Sequence, residues 1–138
     1  MNSIQIFEPD IASAPWQQIH SILDSCYPKP PRDVFFKLIS LTHTSQRIWV
    51  AQVNNVVAGI VMLSPHSKGG HLENLSVLSD YRSQGIAQYL VRSLINDVSS
   101  DSSKVITLTT RIPSFFEKFG FTSFATLNDD SVCMSLLC

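Results

Sequence analysis

One stretch, His71 to Thr109, limits what this chain can fold into more than any other. It reads as a strand over His71–Val77, a polar turn, a helix running to about Val98, a polar break at Ser99–Ser103 and a second strand at Val105–Thr109. Strand, helix, strand is a βαβ unit, and its two strands must lie parallel in one sheet. The turn carries Arg82-Ser83-Gln84-Gly85-Ile86-Ala87, an R-x-x-G-x-A pattern that runs into the first turn of the helix. Backbone N–H groups without partners collect there at the positive end of a helix dipole, which suits a phosphate or pyrophosphate. Gly85 has no side chain and Ala87 a small one, so the backbone can come close to such an anion. A glycine at that point would also serve plain strand–helix packing.

The remaining segments supply a sheet for this unit. Ile4–Phe7 alternates and stops at Pro9, as a short first strand. Trp16, Ile19, Ile22, Leu23 and Cys26 recur at helical spacing, predicting a helix from about Ala14 to Cys26 with Ser13 as its cap. Tyr27–Pro31 holds three prolines and must be an extended connector, after which Phe35, Leu38 and Ile39 mark a second helix to about Leu41. The two helices and their stiff connector suit either a lid or a surface excursion. Arg47–Gln52 and Val56–Leu63 read as an antiparallel hairpin turned at Asn54-Asn55. The second of these, VVAGIVML, is apolar on both faces and belongs at the centre of a sheet covered on both sides. Ser64–Gly70 reads as a loop, Ser114–Lys118 as a short helix ended by Gly120, and Ser123–Leu127 with Val132–Leu137 as a closing hairpin around Asn128–Asp130.

These elements make a single domain over residues 1–138, of class α/β: a mixed, mostly antiparallel sheet of about six or seven strands with helices on both faces. The formal charge of -1 gives no general attraction to nucleic acid or acidic membranes, so any anion must be held locally. Cys26, Cys133 and Cys138 form no C-x-x-C pair and suggest neither a zinc site nor a disulfide framework. No apolar run approaches the roughly 20 residues of a membrane span, and the N-terminus lacks a signal-peptide pattern. A cytoplasmic protein without bound metal is the expectation.

The order of motifs adds a further constraint. A strand ending in LSVLSDYR, the R-x-x-G-x-A turn, a helix, a strand and then Phe116-Glu117-Lys118-Phe119-Gly120-Phe121 resembles the GNAT family of acetyl-CoA-dependent N-acetyltransferases. The resemblance covers residues 47–127. It implies a sheet splayed beside its fourth strand, where acetyl-CoA enters, with pyrophosphate on the amides of Arg82, Ser83, Gln84, Gly85, Ile86 and Ala87. It also implies that the pantetheine arm pairs with the strand edge at Leu75, Ser76 and Val77, and that Phe116 packs against the cofactor. The family reaction is attack of a substrate amine on the thioester, and an amine that is mostly ammonium at neutral pH benefits from a base. In relatives that base often lies on the strand matching His71–Val77. His71 and Glu73 are two apart and share a face; Glu73 is the first candidate and His71 the second, the alternative for both being a purely structural role. Phe116 stands where many relatives carry a tyrosine acid and cannot donate a proton.

Leu108-Thr109-Thr110-Arg111 followed by the phenylalanines is similar to the matching stretch of small amino-acid N-acetyltransferases. That likeness implies Arg111 gripping a substrate carboxylate, with Thr109 and Thr110 lining the site, or else a surface arginine with no ligand. The expected partner is a small-molecule amine. Transfer to a protein amine and a non-catalytic acetyl-CoA-binding module are the competing readings. Whether the last strand pairs within its own chain or across a homodimer is left open by the sequence.

Overall fold

A computed structural model describes residues 3–26, 46–99 and 104–138. Seven strands form one sheet: β1 Ile4–Phe7, β2 Arg47–Val53, β3 Val56–His66, β4 Gly69–Val77, β5 Val105–Thr110, β6 Thr122–Thr126 and β7 Val132–Leu137. Their order is β1-β2-β3-β4-β5-β7-β6, and only β4 and β5 are parallel. The α-helices among the described residues are α1 Trp16–Cys26, α2 Ile86–Ser99 and α3 Pro113–Glu117. The mixed, mostly antiparallel α/β sheet expected from the sequence is present, and β7 pairs within its own chain between β5 and β6. The Pro-rich connector and second helix expected between Tyr27 and Leu41, with the lid reading built on them, lie outside the described residues.

β3 sits inside the sheet, between β2 and β4, because its stretch from Val57 to Leu63 has no side chain suited to water. Val57 to Leu63 are all buried, and their side chains divide between two cores. Val57, Ile60 and Met62 meet Ile19, Ile22 and Leu23 of α1 on one face. Ala58, Val61 and Leu63 meet Ile86, Leu90, Val91 and Leu94 of α2 on the other. Each such side chain contributes roughly 1.5–3 kcal/mol by leaving water, so the helical stripes hold α1 and α2 to opposite faces. The far end of α2 is tied down by a polar contact, Trp49 Nε1 donating to Asp97 Oδ2 at 2.6 Å.

Three elements differ from the sequence reading. Ser64–Gly70 is no loop: β3 and β4 continue through it as a hairpin that turns at Ser67-Lys68, with Ser64 opposite His71 and Pro65 opposite Gly70. Gly69 permits this, since a Cβ there would lie 1.9 Å from Val105 O on the adjoining β5. A 3-10 turn, Ile11–Ser13, precedes α1 and is capped by Asp10, so Ser13 is not the helix cap. α3 begins at Pro113, whose missing N–H costs nothing at the first helical position, rather than after Ser114. The Asn54-Asn55 turn is as expected, both residues taking positive φ (51° and 70°).

Candidate active site

The site follows from where β4 loses its neighbours. β5 pairs with it only at Gly69, Gly70 and His71; beyond His71 the two strands part. On its other side, the register with β3 shifts between Ile60 and Met62, so that Asn74 and Leu75 together stand opposite Val61. This is a β-bulge, which bends a strand and ends regular pairing. Asn74 takes φ 53° at the bulge, a left-handed conformation that asparagine tolerates. The parted strands leave a hollow of about 270 Å³, walled by Glu73, Leu75, Thr109, Thr110, Arg111 and Phe116 among others.

A second hollow, about 200 Å³, lies at the start of α2 between Val77, Tyr81, Arg82, Ser83, Gly85–Gln88 and Phe115. Ser83 and Gly85 both have positive φ (67° and 80°), which folds the turn back over the helix end. The first helical amide with a partner is that of Tyr89, donating to Gly85 O at 3.1 Å. Among the described residues no acceptor faces the amides of Gly85, Ile86, Ala87 and Gln88, so four donors point outward at the positive end of a 14-residue helix. The two hollows adjoin along Leu75–Val77 on one side and Phe115–Phe116 on the other, whose rings meet edge to face at 4.9 Å.

Between the hollows β4 offers its backbone edge. Leu78 N–H donates to Ala58 O on β3 and Ile60 is paired with Ser76, so by alternation Val77 and Leu75 turn their backbone groups away from β3. Ser76 therefore faces β3 through its backbone, and its buried hydroxyl has no hydrogen-bond partner among the described residues. Val77 O is already engaged, accepting from Arg82 Nε at 3.1 Å and from Cys26 Sγ at 3.5 Å. Arg82 Nη2 also reaches Cys26 Sγ at 3.7 Å, so this guanidinium clips the end of β4 to the end of α1.

Glu73 and His71 share a face of β4, as the two-residue spacing requires. Glu73 Oε1 accepts from Ser64 Oγ at 3.0 Å, and Ser64 Oγ in turn accepts from Gln46 Nε2 at 2.8 Å. His71 Nδ1 lies 2.8 Å from Thr107 Oγ1, at the last rung before the strands part, and is not in the hollow's wall. Phe116 is buried in the α2-side core, between Phe115 and Phe121, and forms the hollow's floor. Thr109 turns to the opposite sheet face, beside Cys133 at 3.8 Å, and Thr110 Oγ1 accepts from Ile112 N–H at 2.9 Å. Arg111 reaches Asp129 Oδ2 on the β6–β7 turn at 3.3 Å, both side chains being more than half exposed. Hydrogen bonds from the Ser131 hydroxyl and amide, with a smaller contribution from Arg111, hold Asp129 down to a pKa of about 2.

Sequence reading missed Ser64, Gln46, Cys26 and Asp129. The first two become neighbours of Glu73 only through the hairpin register, which was legible had Ser67-Lys68 been read as its turn. Cys26 and Asp129 reach the site through tertiary contacts that carry no local signal. No group of histidine, cysteine and carboxylate side chains that could hold a metal occurs among the described residues, and no described helix is long and apolar enough to cross a membrane.

The geometry has relatives. Solved structures superpose over nearly the whole chain: a GNAT-family acetyltransferase from Staphylococcus aureus Mu50 (19% identity, TM-score 0.78, covering 98% of this chain and 99% of that one); the PaiA N-acetyltransferase of Thermoplasma acidophilum in complex with coenzyme A (14%, 0.77, 99% and 99%); and an aminoglycoside 6'-N-acetyltransferase complexed with coenzyme A (18%, 0.83, 96% and 96%). At these identities the likeness speaks for the fold alone. No curated protein matches the sequence. The family model described as the acetyltransferase (GNAT) family matches residues 16–121, most of the chain, and the protein belongs to that family.

Proposed function

We propose that the protein transfers the acetyl group of acetyl-CoA to the primary amine of a small molecule by direct attack, with Glu73 as base. One observation carries this reading: Glu73 stands in the wall of the hollow that opens where β4 and β5 part, next to the hollow with four outward amides. The residues fit a CoA-type ligand. The amides of Gly85 to Gln88 suit its pyrophosphate, and Leu75 and the Val77 N–H supply an unpaired strand edge for an amide-bearing arm. Ser76, whose backbone faces β3, and the Val77 carbonyl, already bonded to Arg82 and Cys26, contribute little to that edge. Bound acetyl-CoA supplies an activated thioester. The chain's own residues do the rest: Phe115 and Phe116 line the two adjoining hollows with apolar surface, and Glu73 takes the proton an acceptor ammonium must lose.

His71 keeps the second place, because its bond to Thr107 fixes it beside rather than inside the hollow. The acceptor suggested by Arg111 is an amino acid. Its exposed single-bond contact with Asp129 is of the weak kind that an incoming carboxylate can displace by a forked pair. Thr109 and Thr110 then serve the hollow's shape more than acceptor binding, their hydroxyls being engaged locally. The likeness to an aminoglycoside 6'-N-acetyltransferase adds cationic amines to the candidates. Phe116 favours a second reading, an acetyl-CoA-binding module without turnover, since a buried phenyl cannot protonate a departing thiolate.

Thiol release from acetyl-CoA, measured with glutamate, spermidine, tobramycin and a peptide N-terminus, separates these readings. Release that depends on a small amine supports the enzyme. Release with the peptide alone moves the acceptor to proteins, and CoA binding with no amine-dependent release leaves the binding module.

A further inference from the structure

Glu73 is held by a hydrogen-bonded chain that runs from the entry of β2 across β3 to β4. Gln46, the residue before β2, donates to Ser64 on β3 at 2.8 Å, and Ser64 donates to Glu73 on β4 at 3.0 Å. A serine hydroxyl has one proton. Because its oxygen accepts from the Gln46 amide, that proton is directed to Glu73 Oε1, so Ser64 meets the carboxylate as a donor. We propose that Ser64, oriented by Gln46, is a positioning residue that holds the Glu73 carboxylate toward the cleft in its ionised, proton-accepting form. This rests on the reading of Glu73 as the base.

The geometry favours that role over simple sheet stabilisation. Ser64 is paired across the hairpin with His71, yet its hydroxyl bonds diagonally to Glu73, two residues further along β4. The bulge at Asn74–Leu75 begins directly after Glu73, so the backbone that would otherwise fix this side chain leaves regular pairing there. The other titratable or charged groups on its face of β4 or around the hollow among the described residues are His71, two residues back on the same strand, and Arg111 across the hollow. α1 turns Ile19, Ile22 and Leu23 to this face of the sheet.

The test compares Ser64→Ala, Ser64→Thr, Glu73→Gln and the double variant Ser64→Ala/Glu73→Gln. In protein labelled with carboxyl-¹³C glutamate, the Glu73 signal, identified by its loss in Glu73→Gln, is expected to titrate at higher pH in Ser64→Ala and near the parent position in Ser64→Thr. Titration at unchanged or lower pH in Ser64→Ala overturns the proposal, and needs no acceptor to be known. With acetyl-CoA and whichever of glutamate, spermidine or tobramycin is turned over, Ser64→Ala should lower kcat about tenfold, the loss of one charged hydrogen bond. Its KM for acetyl-CoA should stay constant, and the double variant should be no slower than Glu73→Gln. Additive losses overturn the proposal. Full turnover by Glu73→Gln instead removes the catalytic reading of Glu73, while the titration result still decides the Ser64–Glu73 bond.

Discussion

Replacing Gly85 separates the fold's needs from those of the anion, because the two respond with opposite sign. Gly85 takes φ 80°, and a Cβ built on it meets nothing nearer than Tyr89 Cε2 at 3.7 Å. Alanine there is free of clashes and carries only the cost of a left-handed conformation, about 1–2 kcal/mol. For a chain of this length that lowers Tm by about 3–7 °C. Glutamate carries the same backbone cost, but its carboxylate lies at the positive end of α2 and recovers about 0.3–1 kcal/mol. Gly85→Glu should therefore melt at or slightly above Gly85→Ala. Toward coenzyme A the order reverses. A negative charge about 4 Å from a bound phosphate is repelled by up to about 4 kcal/mol at an effective dielectric near 20, and water at this exposed turn reduces that to about 2–3 kcal/mol. Calorimetric titration with coenzyme A should show Gly85→Ala within about tenfold of the parent and Gly85→Glu weaker by a further factor of about 30 to 150. Equal affinities for the two variants would refute the placement of the pyrophosphate on these amides.

Other substitutions test the remaining parts. Glu73→Gln should leave coenzyme A affinity unchanged and lower turnover about a hundredfold, most severely at low pH where the acceptor is ammonium; a pH–rate profile checks it. Gly59 is packed so that a Cβ would lie 3.1 Å from Ile86 Cγ2, Leu90 Cδ1 and Ser76 O. Gly59→Ala should cost about 1–3 kcal/mol in denaturant unfolding, and weaken coenzyme A binding by displacing the start of α2. Asp129→Asn should free Arg111 and lower KM for glutamate relative to spermidine; an unchanged ratio separates Arg111 from acceptor binding. The pH dependence follows from the depressed pKa of Asp129, about 2 in the folded chain. A group held below its unfolded value stabilises the fold above that unfolded value, and the contribution is lost as pH falls through the folded one. Parent and Asp129→Asn should thus differ in urea stability at pH 6 and converge near pH 2.

How far the sequence alone reaches can be judged residue by residue. Val56–Leu63, apolar at every position, announced a strand covered on both faces, and from Val57 onward it is buried in an interior strand of the sheet. The R-x-x-G-x-A turn announced free amides at a helix start because glycine and the helix end act locally. The hairpin through Ser64–Gly70 was missed because two glycines and a proline read as a loop. There Gly69 permits a close approach to β5 and Gly70 one to Leu63 and Ser64 on β3, which only the neighbouring strands make visible. Hence Ser64 went unnoticed beside Glu73. The partners of Arg111 and Arg82, Asp129 and Cys26, are 18 and 56 residues away and joined by tertiary contact, which no local pattern encodes.

The most direct test mixes the purified protein with acetyl-CoA and a panel of small amines and follows coenzyme A thiol release alongside mass spectrometry of the amine. Saturable release that depends on one amine, with an acetylated amine as product and loss of the signal in Gly85→Glu, is the expected result. Saturable coenzyme A binding without amine-dependent release from any member of the panel would contradict catalysis at the β4–β5 cleft.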